Sequence, residues 1–161
     1  ISGPGTSAIM AAFTHLNPDG SRFSDGTWGV FYAAKALDTA VAETMHHRAK
    51  FMAATREPAM KIEMRCYRMR VAGRLHDLRR GWAAMLHPDD YTAPRALARA
   101  LRDGGSDGVV YPSVRHAGGE CVGLFHPDLA GPCTQAQHLV YAWDGKRVLP
   151  EYAVATLQRT R

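Results

Sequence analysis

The carboxylate of Glu43 is the clearest candidate for chemistry in the sequence, and it lies in the stretch LDTAVAETMHHRAKFMAA. This stretch predicts a helix with Asp38 as its N-cap, because an aspartate there can accept a hydrogen bond from a free backbone N–H. On that helix Glu43, His46 and His47 occupy positions i, i+3 and i+4 and share one face. Glu43 lies near the apolar boundary, where a carboxylate costs free energy unless it is paired or functional. Two explanations for the position of Glu43 stay open: it forms an ion pair with Arg48 or another arginine, or it belongs to a functional site.

Three other side chains could act together with this carboxylate. Arg22 lies in a loop punctuated by glycine, Tyr32 ends an apolar run, and Ser113 follows a predicted strand in VVYPSVR. Each also has a common structural explanation, namely a solvated loop arginine, a half-buried tyrosine and a turn serine after proline. The residue types alone are weak evidence for any one reaction.

Motifs for several other chemistries are missing from the sequence. The pair His46–His47 does not predict a metal site, because no H-E-x-x-H spacing exists. Ser113 is not part of a G-x-S-x-G elbow, and neither a Walker loop nor G-x-G-x-x-G occurs. The three cysteines are widely spaced without C-x-x-C, which is typical of small apolar core residues and fits a reducing cytoplasm.

The elements that must position these side chains follow from hydrophobic periodicity. The run Trp28 to Ala34 predicts a buried strand, and the helix after Asp38 should end before Pro58. Apolar residues alternate with polar ones in AMKIEMRCYRMRV, which predicts a strand with one solvated face. The segment APRALARALRD predicts a helix with Pro94 in its first turn, and DGVVYPSV and CVGLF predict two short strands.

The two ends of the chain complete the predicted class. LVYAWDGKRVL predicts a hairpin with Asp144-Gly145 as a two-residue turn, whereas ISGPGTSAI predicts an irregular entry segment. The predicted fold class is α+β, with a mixed, largely antiparallel sheet and flanking helices. The 161 residues suit a single domain over 1–161, and because the chain starts with Ile1 we expect some N-terminal residues of that domain to precede it.

Composition narrows the choice of partner. No apolar stretch approaches the ~20 residues of a membrane span. The net charge is +5 at pH 7, and the basic residues are dispersed along the chain. On a surface that binds single-stranded nucleic acid by base stacking, basic residues would instead be interleaved with aromatic ones. A basic surface that meets an acidic partner is the favoured interpretation. A non-enzymatic nucleic-acid-binding module is the alternative, and a gel shift that weakens steeply with salt would identify it.

Two segments together resemble the signatures of the RES domain, the toxin of RES–Xre toxin–antitoxin pairs. The first is GSRFSDGTWGVFYAAKALDTAVAETMHH, with Gly20 and Arg22 in its loop, Tyr32 in its strand and Glu43 in its helix. The second is DGVVYPSVRHAGGECVGLF, which supplies Ser113. The family takes its name from an arginine, a glutamate and a serine. This sequence departs from the pattern by one extra residue between Gly20 and Arg22, and by the absence of an arginine on an opening strand.

The resemblance implies an ADP-ribosyltransferase-like fold and consumption of NAD as a substrate, with no metal. It implies that Glu43, Arg22 and Ser113 are catalytic, and that NAD is bound by Arg22, Tyr32, Glu43, His46 and Ser113. In these roles Arg22 would bind phosphate or ribose oxygens and Tyr32 would stack on nicotinamide. Glu43 would stabilise the positive charge that develops on the ribose.

The resemblance also implies where and with what the protein acts. We expect a cytoplasmic toxin in complex with a cognate Xre-type antitoxin, without direct nucleic-acid binding and without a membrane. Water, phosphate and a side chain of a protein target all remain open as acceptors of the ADP-ribose.

Overall fold

Two β-sheets and three α-helices make up the computed structural model, which describes residues 5–151. The helices are α1 (Thr6–Thr14), α2 (Leu37–Thr55) and α3 (Thr92–Asp103). The strands are β1 (Phe31–Ala34), β2 (Met60–Arg68), β3 (Leu75–Asp77), β4 (Gly108–Pro112), β5 (Glu120–Leu124), β6 (Thr134–Trp143) and β7 (Val148–Glu151). Two short 3₁₀ turns span Ala83–Leu86 and Pro127–Leu129. The α+β class with mixed strand directions is confirmed.

The strands divide into two sheets rather than one. The first sheet has the order β1-β5-β4-β3, in which β3 and β4 are parallel and the other neighbours antiparallel. The second sheet has the order β2-β6-β7 and is antiparallel throughout. The alternating pattern predicted β2 correctly, but β3 lacks such a pattern because it has three residues and pairs along one edge of the first sheet.

Helix α2 connects the two sheets. Its Met52 packs with Tyr141, Trp143 and Val148 in the core of the second sheet. The hydroxyl of Thr44 lies 2.7 Å from that of Tyr141, which ties the middle of the helix to β6. Glu43 is turned away from this contact, since its carboxylate meets Ser113 at the end of β4. The helix therefore presents Glu43 to the first sheet while its apolar face rests on the second.

Helix boundaries agree with the sequence in part. Helix α2 ends at Thr55, before Pro58 as predicted, and Pro94 lies in the first turn of α3. The prediction of Asp38 as N-cap is wrong: the N-cap is Ala36, and Asp38 lies in the first turn. An acidic side chain there is still favourable, because it faces the positive end of the helix dipole.

The predicted starts of two elements are corrected. The irregular segment was expected to run to Ile9, but α1 begins at Thr6 because Ile9 is buried against Leu124. Strand β1 begins at Phe31 rather than Trp28, since the Trp28 carbonyl accepts a hydrogen bond from Ser24 in the preceding loop.

The hairpin between β6 and β7 also differs from its prediction. Its loop has four residues instead of two, since Trp143 pairs with Val148. The carboxylate of Asp144 accepts the backbone N–H groups of Lys146 and Arg147, which closes the wider loop. Such side-chain capping by aspartate competes with the tighter two-residue turn.

Candidate functional site

Arg22 is held inside the molecule by its loop rather than solvated. Its side chain is only 8% exposed. Nη1 donates to the carbonyl of Met85 at 3.0 Å and to that of His87 at 2.8 Å. The guanidinium lies over the ring of Tyr91, 4.6 Å from its centre, where a cation is attracted by the π face.

Gly20 makes the loop around Arg22 possible. Its φ of 72° lies in the left-handed region, and a Cβ at this position would lie 2.3 Å from the carbonyl oxygen of Ser24. The turn is so tight that the backbone N–H of Ser21 reaches the same carbonyl at 2.8 Å. A residue with a side chain would open this turn and move Arg22.

Tyr32 on β1 fixes the other side of the same loop. Its hydroxyl lies 2.6 Å from the Ser21 hydroxyl and accepts the backbone N–H of Phe23 at 2.9 Å. Burial raises the pKa of Tyr32 to about 12, so the phenol stays neutral. The residue is still 37% exposed, which leaves part of the side chain available for contact.

Glu43 and Ser113 meet across 70 residues of sequence. The Ser113 hydroxyl donates to Glu43 Oε1 at 2.6 Å, a length typical of a hydrogen bond to a charged oxygen. The same hydroxyl accepts the backbone N–H groups of Arg115 and His116. Ser113 therefore stabilises the turn after β4 and also binds the carboxylate of Glu43.

The ion pair considered for Glu43 from the sequence is not formed. Among residues 5–151, no lysine or arginine nitrogen lies within 4.0 Å of its carboxylate, and Nε2 of His47 approaches Oε2 at 3.9 Å. The thiol of Cys121 lies 4.0 Å from Oε1. Burial, reinforced by the negative charge of Glu43, raises the pKa of that thiol to about 12, so Cys121 is not a thiolate.

A cavity of about 160 Å³ brings the candidate residues together. Arg22, Tyr32 and Glu43 line it, and Ser113 reaches it through its hydrogen bond to Glu43. A larger groove of about 750 Å³, lined by both sheets, shares Tyr32 and Thr44 with the cavity. The two spaces therefore adjoin at the start of α2.

His46 is placed differently from the other candidates. It does not line the cavity, whereas its neighbour His47 does. In the part of the chain that the structure describes, the buried Nε2 of His46 has no hydrogen-bond partner. Burial, with the positive charge of Arg115, lowers the pKa of His46. A binding role for His46 stays a prediction.

Several side chains of the cavity were not expected from the sequence. Tyr91, Tyr111, Arg115 and Cys121 line it together with His47. Two of them had a usable signal: His47 is four residues from Glu43 on the same helix, and Arg115 is two residues from Ser113. Tyr91 had none, because the packing of Arg22 against its ring joins distant segments.

Between residues 5 and 151, no three histidine, cysteine, aspartate or glutamate side chains come together as a metal site. No helix in that range is both long and apolar enough to cross a membrane.

The site residues lie within the span that known sequences share with this chain. An uncharacterised protein of Sinorhizobium fredii, y4oC, is 30% identical over 146 residues, which is 89% of this chain. The chain spans 60% of the length of that relative. The sequence model of the RES domain matches residues 1–144, which include Arg22, Glu43 and Ser113. The chain therefore belongs to the RES domain family.

Proposed function

We propose that this chain is a toxin that consumes NAD by cleaving the bond between nicotinamide and ribose. One observation carries the proposal: the carboxylate of Glu43, fixed by Ser113, shares a cavity with Arg22 and Tyr32. NAD carries a cationic ring on a phosphorylated sugar. An aromatic side chain can stack on the ring, a guanidinium can bind the phosphate, and a carboxylate can stabilise positive charge on the sugar.

The proposed reaction assigns a task to each group. As the bond breaks, its electron pair goes to the ring nitrogen, so nicotinamide leaves neutral and the ribose carbon becomes oxocarbenium-like. The negative charge of Glu43 stabilises that carbon, an effect that grows toward the transition state. Ser113 orients the carboxylate through Oε1. Tyr32 stacks on the nicotinamide ring, and Arg22 binds ribose or phosphate oxygens.

The size of the cavity limits what it holds. Pockets for drug-sized ligands commonly measure about 300–1,000 Å³. The cavity of about 160 Å³ is smaller, so it would hold the nicotinamide end of NAD, with the remainder of the dinucleotide outside. The ADP-ribosyltransferase-like character of the fold is part of this proposal.

The family also bears on the biological setting. RES domains are compatible with a toxin–antitoxin module. We propose that the antitoxin partner is of the Xre type, that the complex is cytoplasmic, and that neither nucleic acid nor membrane is bound directly by this chain.

The direct test is incubation of the purified protein with NAD and measurement of free nicotinamide. Parallel reactions contain buffer, inorganic phosphate or bacterial lysate. ADP-ribose, phosphorylated ADP-ribose and labelled protein then report water, phosphate and a side chain as the acceptor. Failure to release nicotinamide in all three reactions would contradict the proposal.

The matched control is Glu43→Gln, which keeps the shape of the side chain and removes its charge. We expect nicotinamide release to fall by about 10²- to 10³-fold, the size typical for the loss of one group that stabilises transition-state charge. The melting temperature should change little, since glutamine can still accept the hydrogen bond of Ser113. Turnover near the wild-type rate would remove Glu43 from the site.

A further inference from the structure

Arg115 forms part of the cavity wall without a role in the proposed reaction so far. It follows Ser113 in the turn after β4, and its backbone N–H donates to the Ser113 hydroxyl at 3.2 Å. Its Nη2 donates to the carbonyl of Pro88 at 2.6 Å. The side chain is thus anchored at one nitrogen while it lines the same cavity as Glu43.

Arg22 is anchored on the same segment as Arg115. Its Nη1 uses the carbonyls of Met85 and His87, directly before the Pro88 carbonyl that holds Arg115. A guanidinium carries five N–H donors in a rigid fork. Each arginine therefore keeps further donors for a ligand after it is anchored, and three carbonyls of the segment from Met85 to Pro88 hold both side chains against one cavity.

Neither guanidinium has a carboxylate at contact distance. Within residues 5–151, no aspartate or glutamate oxygen lies within 4.0 Å of Arg22 or Arg115, whereas Arg79 and Arg99 both pair with acids. A buried cation costs free energy unless an opposite charge compensates it. Because Arg22 is only 8% exposed, its charge is the more costly of the two. An anionic group in the cavity that both arginines line would supply that compensation.

We propose that Arg22 and Arg115 together bind a phosphate group of the substrate, and that the phosphate next to the nicotinamide ribose is the one recognised. This inference rests on the proposed function and narrows its substrate class to phosphorylated nicotinamide nucleotides. Phosphate matches the planar fork of arginine, and two forks that approach from one anchored segment hold it without a metal. Nicotinamide riboside, which lacks this phosphate, is then a poor substrate.

The test compares three substrates: NAD, nicotinamide mononucleotide and nicotinamide riboside. We expect the wild type to prefer both phosphorylated compounds in kcat/KM by at least about 10-fold. Arg115→Gln should lower kcat/KM for those two by about 10- to 100-fold, the range for loss of a hydrogen bond to a charged group. Its effect on nicotinamide riboside should stay below about twofold, because that substrate offers Arg115 no partner. The control is Arg80→Gln, an exposed arginine that does not line the cavity.

The outcomes separate this inference from the proposed function. Equal losses on all three substrates would overturn phosphate recognition and indicate a general distortion of the turn at Ser113. An unchanged kcat/KM for NAD would remove Arg115 from the site while NAD cleavage stands.

A binding measurement covers the case in which the wild type releases no nicotinamide at all. Calorimetry with nicotinamide mononucleotide in a Glu43→Gln background, with and without Arg115→Gln, measures phosphate binding independently of turnover. A 10-fold or larger weakening by Arg115→Gln supports the assignment, and equal affinity overturns it.

Discussion

Arg22 is positioned by groups that only an arginine can use together. One nitrogen reaches two carbonyls, and the planar guanidinium lies over Tyr91. A lysine would keep the positive charge, but its single ammonium cannot donate to both carbonyls and present a flat fork to a ligand at the same time. Substitution of Arg22 by lysine or by alanine can therefore separate the contribution of its charge from that of its planar shape.

We expect Arg22→Lys to recover only part of the NAD affinity lost in Arg22→Ala. The alanine variant should bind a non-hydrolysable NAD analogue at least about 10-fold more weakly, the effect of losing charged hydrogen bonds. Calorimetry on the three proteins measures this, and urea unfolding shows whether the fold survives each change. Equal affinity of all three proteins would place Arg22 outside the ligand site.

The lowered pKa values of His46 and His47 predict how stability depends on pH. Burial lowers the pKa of both, Arg115 and Lys50 lower it further, and Glu43 opposes them. Below the usual pKa of about 6.5 the unfolded chain takes up protons that the folded protein resists. The free energy of unfolding should therefore fall as the pH drops from 8 to 5.

Urea unfolding midpoints at pH 8 and pH 5 measure this loss. His46→Gln should reduce the difference between the two midpoints, whereas the same change at the exposed His15 should not. Hydrogen bonds with Arg79 lower the pKa of Asp77 to about 2, so protonation of this exposed carboxylate bears on stability only at more acidic pH. A midpoint difference that His46→Gln leaves unchanged would contradict the assignment to His46.

At the scale of elements, the start of α2 packs tightly against the turn between β4 and β5. Thr39 in the first turns of α2 is fully buried, and its hydroxyl lies 2.9 Å from Nδ1 of His116 in the turn. A Cβ on Gly119 would lie 2.6 Å from both Cγ2 and Oγ1 of Thr39. This contact sets the spacing between the element that carries Glu43 and the turn that carries Ser113.

Gly119→Ala should force these elements apart. We expect a loss of about 1–3 kcal/mol in the free energy of unfolding, as is typical of overpacking, together with weaker NAD turnover. A double-mutant cycle with Thr39→Ala checks the cause, because removal of the Thr39 side-chain atoms should reduce the cost of the new methyl group. Additive costs would mean that the contact is not the reason.

Elements with a local signal were predictable from the sequence, and those shaped by distant contacts were not. Strand β2 follows from the alternation of apolar and polar residues, which a bulge interrupts between Arg65 and Tyr67, and the end of α2 follows from Pro58. The start of α1 depends instead on burial of Ile9 against Leu124, over 100 residues away in sequence. No local pattern near Ile9 carries that information.

The residues of the candidate site were likewise predictable only in part. The order of Arg22, Tyr32 and Glu43 along the chain identified three residues that share a cavity. Arg115 had only its nearness to Ser113 as a signal, and Tyr91 was missed because its contact with Arg22 joins distant segments. The carbonyls of Met85, His87 and Pro88 that hold the two site arginines had no signal at all. Backbone carbonyls are the same in every residue, so a sequence does not distinguish those that bind a side chain.

For the whole molecule, the net charge of +5 favours an acidic partner. We expect the proposed antitoxin to form a complex that blocks NAD turnover by covering the cavity of Arg22 and Glu43. Association should slow as salt rises, since long-range attraction between opposite charges is screened.

Co-expression with the neighbouring open reading frame, followed by purification and measurement of NAD loss, tests the block. Full activity in the saturated complex would rule out inhibition by that partner. Inhibition that high NAD concentrations do not relieve would contradict coverage of the cavity and indicate a conformational effect.

The segment from Met85 to Pro88 links the site to the cooperative folding of the chain. Arg22 lies 63 residues before Met85, and Glu43 lies 70 residues before Ser113, so the site does not exist in any short stretch of unfolded chain. A ligand that bridges these groups binds only the native state, and mass action then converts its affinity into stability: a concentration of 100 times Kd adds about 2.7 kcal/mol. If the proposed function holds, such a substrate would protect the folded chain from thermal unfolding and proteolysis, and its depletion would withdraw that protection. The lifetime of the folded chain would then follow the supply of its own substrate.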